Sequence, residues 1–295
     1  MKGEKIMNKH AYLIMTHNNF YILEKLLLLL DSEKHDIFVH VDKKVLDFPF
    51  EKFEKLLKKS KLIFIPRMDI IWASPTQITC EIELLKTSMS YGKYSYYHLL
   101  SGVDLPIKSQ DEIYNFFENN KGKEFIGFTN QFDKNRVCKI NLFNNIGRGK
   151  SFINSIKYRA RKLFIIIQNI FNYNYMNKYK MSVKKGTNWF SITDELARYV
   201  VKNEKLIKDM FKYSISGDEH FLHTLVWNSS FKDNVYNLQD ELDSCKRLID
   251  WNRGQPYTYK EQDYDLIINS DKLFARKFDM SVDSKIVDMI YDTLK

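Results

Sequence analysis

The sequence predicts an α/β fold in which a mainly parallel central sheet is flanked by helices. Through the first half, short apolar runs alternate with stretches patterned at helical spacing, the order expected of crossover-connected parallel strands. Gly and Pro are scarce, 10 and 5 among 295 residues, and the aromatic share is high at 15%. That composition argues against disorder, collagen-like structure and a many-turned β-sandwich. No internal repeat or low-complexity linker interrupts the chain, so one continuous domain over residues 1–295 is expected.

Each element has its own signal. Ala11-Tyr-Leu-Ile-Met-Thr16 is a short apolar run of the kind found in a buried parallel strand. Asn18 and Asn19 can cap the next helix, in which Leu23, Leu26, Leu27 and Leu30 recur at helical spacing. Residues 36–41 read as a second strand ending at Asp42, residues 50–59 as a helix and 61–65 as a third strand. A longer helix runs from about Pro75 to Met89, with proline in its first turn, and residues 96–100 form a fourth strand closed by Gly102-Val-Asp104. The second half is less regular. Strands are expected at 124–128, 187–192 and 247–250, and helices at 194–202, from Ser216 to about Trp227, and from Lys260 and Val282. Ligands of open parallel sheets bind beyond the carboxyl ends of the strands, which singles out His17, Asp42, the 67–72 stretch and Asp104.

Cys80, Cys138 and Cys245 are odd in number and far apart, without a CxxC or Cys/His cluster, so buried reduced thiols are expected rather than disulfides or a zinc site. Residues 1–9 are polar, lacking the apolar core of a signal peptide, and no run is long and apolar enough to span a bilayer. A cytoplasmic protein is expected, with a peripheral position at the inner face of the cytoplasmic membrane as the alternative. The net charge of +9 is unevenly spread: residues 134–193 hold thirteen Lys and Arg and no acid.

A P-loop, a dinucleotide glycine fingerprint and a Gly-x-Ser-x-Gly elbow are all absent. With so few glycines, phosphates must be held chiefly by side-chain cations. Ser216-Gly-Asp-Glu-His220 puts two adjacent carboxylates, Asp218 and Glu219, at a predicted helix start. They cannot serve one face, so one can secure the turn while the other enters a cleft; a purely structural role fits as well. Cations also stand in the aromatic runs Ile249-Asp-Trp-Asn-Arg253 and Leu273-Phe-Ala-Arg-Lys277. Their anionic partner could be an acid such as Asp279 or a bound diphosphate.

Together the motifs resemble the core-2/I-branching β-1,6-N-acetylglucosaminyltransferases (glycosyltransferase family 14), relatives of the peptide O-xylosyltransferases. The resemblance runs in order through Ala11 to His17, His40-Val-Asp-Lys43, residues 67–74 and Gly102 to Lys108. It continues through Gly186-Thr-Asn-Trp-Phe190, Asp218-Glu-His220 and Leu273 to Phe278. It implies a GT-A-like fold, inverting transfer from a UDP-sugar to a glycan hydroxyl, and no cofactor or metal; the missing signal and anchor suggest a bacterial member. N-acetylglucosamine is favoured as the sugar and xylose is possible. A bacterial surface-polysaccharide precursor is the expected acceptor. By the same resemblance Glu219 is the catalytic base and Asp42 contacts the uridine, with Met15 passing the nucleoside and Trp72 packing on the uracil. Arg253 and Lys277 replace a metal at the diphosphate, and Trp189 falls near the acceptor. The only Asp-x-Asp, Asp263-Tyr-Asp265, is expected on a surface helix far from the strand end where a metal would be held.

A different class of reading is a catalytically silent carbohydrate-binding or membrane-associated scaffold protein on the same fold. A basic amphipathic excursion over about 140–185 allows further partners. Ile156, Leu163, Ile166, Ile167 and Ile170 can share a helical stripe edged by Lys157, Arg161 and Lys162. That stripe can pack on the core or meet an anionic membrane surface. No nucleic-acid motif accompanies the charge, so nucleic acid is not expected as a partner.

Overall fold

The structure, a computed structural model, describes residues 8–146 and 151–295. Most of the polar N-terminal stretch, and Arg148 and Lys150 of the basic segment, lie outside the described residues. The strands are β1 (His10–Thr16), β2 (His35–Val41), β3 (Lys61–Phe64), β4 (Tyr96–Ser101), β5 (Asp104–Pro106), β6 (Phe125–Ile126), β7 (Phe190–Thr193), β8 (Arg247–Ile249) and β9 (Phe274–Arg276). Six of them form a central sheet in the order β3-β2-β1-β4-β7-β6. β1 to β4 pair in parallel, and β7 and β6 add an antiparallel edge. The expected α/β architecture, a mainly parallel sheet covered by helices, is observed.

Alternation along β1 and β2 supplies both sides of this sheet. Ala11, Leu13 and Phe38 enter a core shared with Ile82 and Leu85 of the helix Thr76–Tyr91. Tyr12, Ile14, Ile37 and Val39 enter a second core with Leu23, Leu26 and Leu27 of the helix Phe20–Leu30 and with Ile286 and Ile290 of the helix Lys285–Leu294. Burial on both faces is why these strands read as continuous apolar runs. The three cysteines are buried and free, as expected.

A second sheet, β5-β9-β8, was not expected. Arg247 of β8 joins it to the first. Its side chain is fully buried and donates to the carbonyls of Cys245 at 2.7 Å, Phe190 at 3.1 Å and Leu99 at 3.3 Å, and to Ser191 Oγ at 3.2 Å. The guanidinium lies 4.3 Å from the Phe274 ring centroid. Burial pulls its pKa down to about 10, against the opposing pull of Cys245, Asp104 and Tyr12.

Several expected elements change. The helix at 50–59 is only Phe50–Glu54, because the N–H groups of Lys58, Lys59 and Ser60 turn to the Asp31 carboxylate at 2.8–2.9 Å. Strands expected at 124–128 and 187–192 contract to β6 and β7. The helix expected from Ser216 is broken into a 3-10 turn, Gly217–Glu219, and a helix, Phe221–Trp227. An unanticipated helix, Gln110–Asn119, starts in a capping box between Ser109 and Glu112. The basic stripe does form a helix, Phe152–Ile170, but its apolar side does not pack on the core. Ile156, Leu163, Ile166, Ile167 and Ile170 are all exposed, and the residue buried is Gln168.

Candidate active site

The carboxyl ends of β1, β2 and β4 bring together residues far apart in sequence. Met15 lies between His40 of β2 and Ser101 of β4, half-buried against the core. Just beyond β2, Asp42 is buried, and its Oδ1 accepts from the Lys44 N–H at 2.9 Å. Arg67 closes this loop from below, donating to the carbonyls of Asp42 at 2.7 Å and Val41 at 3.3 Å. Removal of the His17 imidazole from bulk water lowers its pKa, with Lys44 and Arg276 adding and Asp42 opposing. Gly102 lets the turn after β4 sit on β1: a Cβ there would lie 2.4 Å from Thr16 Oγ1.

Asp104 is not left open to a ligand. Strand register sets it opposite Arg276, whose guanidinium reaches Asp104 Oδ1 at 2.7 Å, while Ser101 donates its N–H at 2.7 Å and its hydroxyl at 2.8 Å. The other side of that guanidinium lies 4.4 Å from the Trp189 ring centroid. Trp189, expected near the acceptor, is therefore a buried wall of the core with Arg276 upon it. Lys277 follows β9 and makes no ion pair among the described residues. Its charge, with the Ser281 hydrogen bonds acting first, helps hold the Asp279 carboxyl below its usual range. Arg253 is occupied: it pairs with Asp250 and with Asp263 Oδ1 at 2.7 Å, and lies 4.0 Å from the Tyr257 ring centroid. Asp263 is thus buried as an arginine partner, while Asp265, the second acid of the Asp-x-Asp, is exposed on the helix Tyr264–Ile268 as expected. Asp279 is not the partner of either arginine.

Glu219 ends the 3-10 turn. Ser216, at φ 54°, and Ala73, at φ 61°, both adopt left-handed backbone and meet through a Ser216 N–H to Ala73 carbonyl bond of 2.8 Å. Such strained pairs persist where the surroundings enforce them. This bond, and one of 3.1 Å from Gln77 Nε2 to Asp218 Oδ2, tie the turn to the loop carrying the exposed Trp72. Asp218 points inward and is buried. Glu219 points outward, with Oε2 at 3.2 Å from Lys185 Nζ. Its backbone carbonyl accepts from Gly186 N at 3.0 Å. Gln131, Asp133, Arg136, Lys185 and His220 complete an open cleft of about 420 Å³ around it. A neighbouring cleft of about 530 Å³ shares Gln131 and contains Trp227, sandwiched by Lys184 at 3.8 Å and Lys232 at 4.0 Å.

The buried side of the turn is strongly perturbed. Burial first, then the Glu219 charge, raises the Asp218 carboxyl to about 7, against backbone N–H groups and Lys185. Glu81, on the helix Thr76–Tyr91, is fully buried and raised well above its ordinary value by burial and then by Asp218. Burial lowers His220 to about 4. Sequence reasoning missed Glu81, Arg276 and Lys185. Glu81 was detectable as an acid on the apolar side of a helix, between Cys80 and Ile82 and one turn after Gln77. Arg276 was overlooked beside Lys277, because adjacent strand residues face opposite ways.

A model of the Core-2/I-Branching enzyme family matches residues 10–270. The chain belongs to that family. The match takes in Met15, His17, Asp42, Trp72, Asp104, Trp189, Asp218, Glu219 and Arg253, and ends before Lys277. This Core-2/I-Branching family chain is 22% identical over 302 residues to mouse (Mus musculus) xylosyltransferase 2, covering 95% of itself and 33% of that protein. It is 23% identical over 278 residues to xylosyltransferase sqv-6 of Caenorhabditis briggsae, covering 86% of itself and 32% of that protein. The chain therefore spans about a third of the length of the curated relatives it matches. Among solved structures, mouse xyloside xylosyltransferase 1 in its apo form aligns over 90% of this chain and 96% of its own, at 10% identity and a TM-score of 0.35.

Proposed function

We propose that this chain is an inverting, metal-independent glycosyltransferase that moves a sugar from a UDP-sugar to a glycan hydroxyl. The observation that carries the reading is Glu219: an outward-facing carboxylate in a cleft, on a turn tied to the Trp72 loop, with its carbonyl fixed by Gly186. In direct displacement the acceptor oxygen forms a bond to the anomeric carbon as the bond to the diphosphate oxygen breaks. The acceptor proton passes to Glu219, and UDP leaves with the bonding pair. One carboxylate suffices, unlike the acid/base pair of a glycosidase.

Asp42 receives the uridine, with Met15 beneath it and Trp72 on the uracil. Lys277 meets the charge that builds on the leaving diphosphate. Arg253 can join it only by leaving Asp250 or Asp263, which makes it the weaker partner of the two. Metal independence is supported by the commitment of the strand-end Asp104 to Arg276 and of Asp263, the first acid of the Asp-x-Asp, to Arg253. The family supports N-acetylglucosamine as donor sugar, and the names of the curated relatives support xylose.

The test is UDP release from UDP-N-acetylglucosamine and UDP-xylose with glycan acceptors. Release from one of them that requires Glu219 is expected. Donor binding by calorimetry with no turnover on any acceptor would favour the silent carbohydrate-binding reading instead.

A further inference from the structure

The helix Phe152–Ile170 is amphipathic in the opposite sense to an ordinary surface helix. Phe152, Ile156, Leu163, Ile166 and Ile170 follow a four-and-three spacing that places them on one side. That side faces outward: Leu163 is 60% exposed, Ile170 71% and Phe152 82%. The side toward the body carries Asn154, Lys157, Arg161 and Gln168, with Phe164 and Ile165 half-buried beside them. Attachment is correspondingly polar. Gln168 accepts from Ile140 N at 2.8 Å and donates to Ile140 O at 3.0 Å, and Lys139 reaches the carbonyls of Gln168 and Tyr173. No residue of this helix belongs to either core. A continuous apolar patch of this kind marks a surface that something covers.

Charge selects the cover. The helix lies within the stretch of thirteen cations and no acids, residues 134–193. Arg159 sits within the apolar row and Lys162 beside it, both exposed, with stems long enough to lie along an apolar layer while their heads reach out of it. A second copy of the chain would bring like charges together, with no acid within residues 134–193 to pair them. A nucleic acid would meet the cations but set isoleucine and leucine against phosphate. An anionic bilayer satisfies both features. We propose that Phe152–Ile170 lies flat in the headgroup–acyl boundary of an anionic bilayer, with its isoleucine-rich side down. At 19 residues the helix is about 28 Å long, and no described helix is long and apolar enough to cross a membrane, so the contact is in-plane.

The proposal does not depend on Glu219 chemistry, and its test uses the full chain without substrate. Flotation is measured with vesicles of phosphatidylcholine alone and of phosphatidylcholine mixed with phosphatidylglycerol. Two surface variants are compared, Leu163→Glu/Ile166→Glu and Arg159→Glu/Lys162→Glu, each checked by thermal melting. Expected are binding to the anionic vesicles, weakening as salt rises from about 0.1 M to about 0.5 M, and a loss of at least about tenfold in each variant. Failure to float with anionic vesicles, equal binding to neutral ones, or unchanged binding by Leu163→Glu/Ile166→Glu would overturn it. So would a concentration-dependent dimer that this variant abolishes and vesicles do not displace, since a second copy would then cover the patch.

Discussion

Glu219 and Asp218 are chain neighbours with opposite surroundings, and substitutions at the two positions should report different things. Glu219→Gln keeps the shape of the side chain but cannot take a proton. Transfer should fall by about a hundredfold or more, with UDP affinity by calorimetry little changed. Near-normal turnover in that variant would remove Glu219 from the base role. Lys277→Ala should weaken UDP binding and slow turnover together, because the ammonium acts on the diphosphate both before and during bond breaking. Full activity in EDTA goes with this arrangement, whereas complete loss restored by manganese would refute it. Asp218 belongs to stability. Its carboxyl titrates near 7 in the folded chain and near 3.8 when unfolded, so between those values the native state holds a proton that the unfolded state has lost. The contribution of Asp218 to stability therefore declines as pH rises from about 3.8 to about 7 and is level above. Asp218→Asn keeps a neutral group throughout, so its melting temperature should gain on the wild type across that interval. A constant difference from pH 4 to 7 would show that Asp218 does not titrate there.

Elements that bury both faces were legible in the sequence, and elements defined by their partners were not. β1, β2 and β4 are long, apolar and closed on both sides, so the run of residue types carried their positions. β5 and β9 have three residues each, too few for periodicity to speak, whereas the strand expected at 247–250 is present as β8 and only its sheet partners were missed. The basic helix was found from its spacing, but spacing says nothing about which side turns inward; Gln168 bonding the Ile140 backbone decides that. Site residues divide in the same way. Asp42 and Glu219 stand at turns with recognisable neighbours, whereas the Asp104–Arg276 pair exists only through strand register. The segment ahead of β7 gives an element-level test. A Cβ on Gly186 would lie 1.7 Å from the Gly127 carbonyl oxygen, so Gly186→Ala must displace this segment and with it the N–H bound to Glu219 O. We expect a stability loss of about 1–3 kcal/mol in urea denaturation, and a fall in kcat larger than the change in UDP affinity. Unchanged kcat would mean that the segment does not position Glu219.

At the scale of the whole molecule, two sheets meet around one guanidinium. Among the described residues Arg247 pairs with no carboxylate; main-chain carbonyls from β4 and β7, the Ser191 hydroxyl and the Phe274 ring take the place of a counter-ion. Arg247→Ala leaves those carbonyls facing a cavity and should cost roughly 3–5 kcal/mol, read as a lower urea midpoint. A loss under about 1 kcal/mol would mean that water enters and replaces the side chain. The same contact imposes a sequence of events on folding. A cation cannot give up its hydration until substitutes wait for it, and the substitutes here belong to two strands almost a hundred residues apart. We expect the larger sheet to be complete through β7 before the smaller one docks, with the Lys277 side of the site assembled last, onto a frame that already exists.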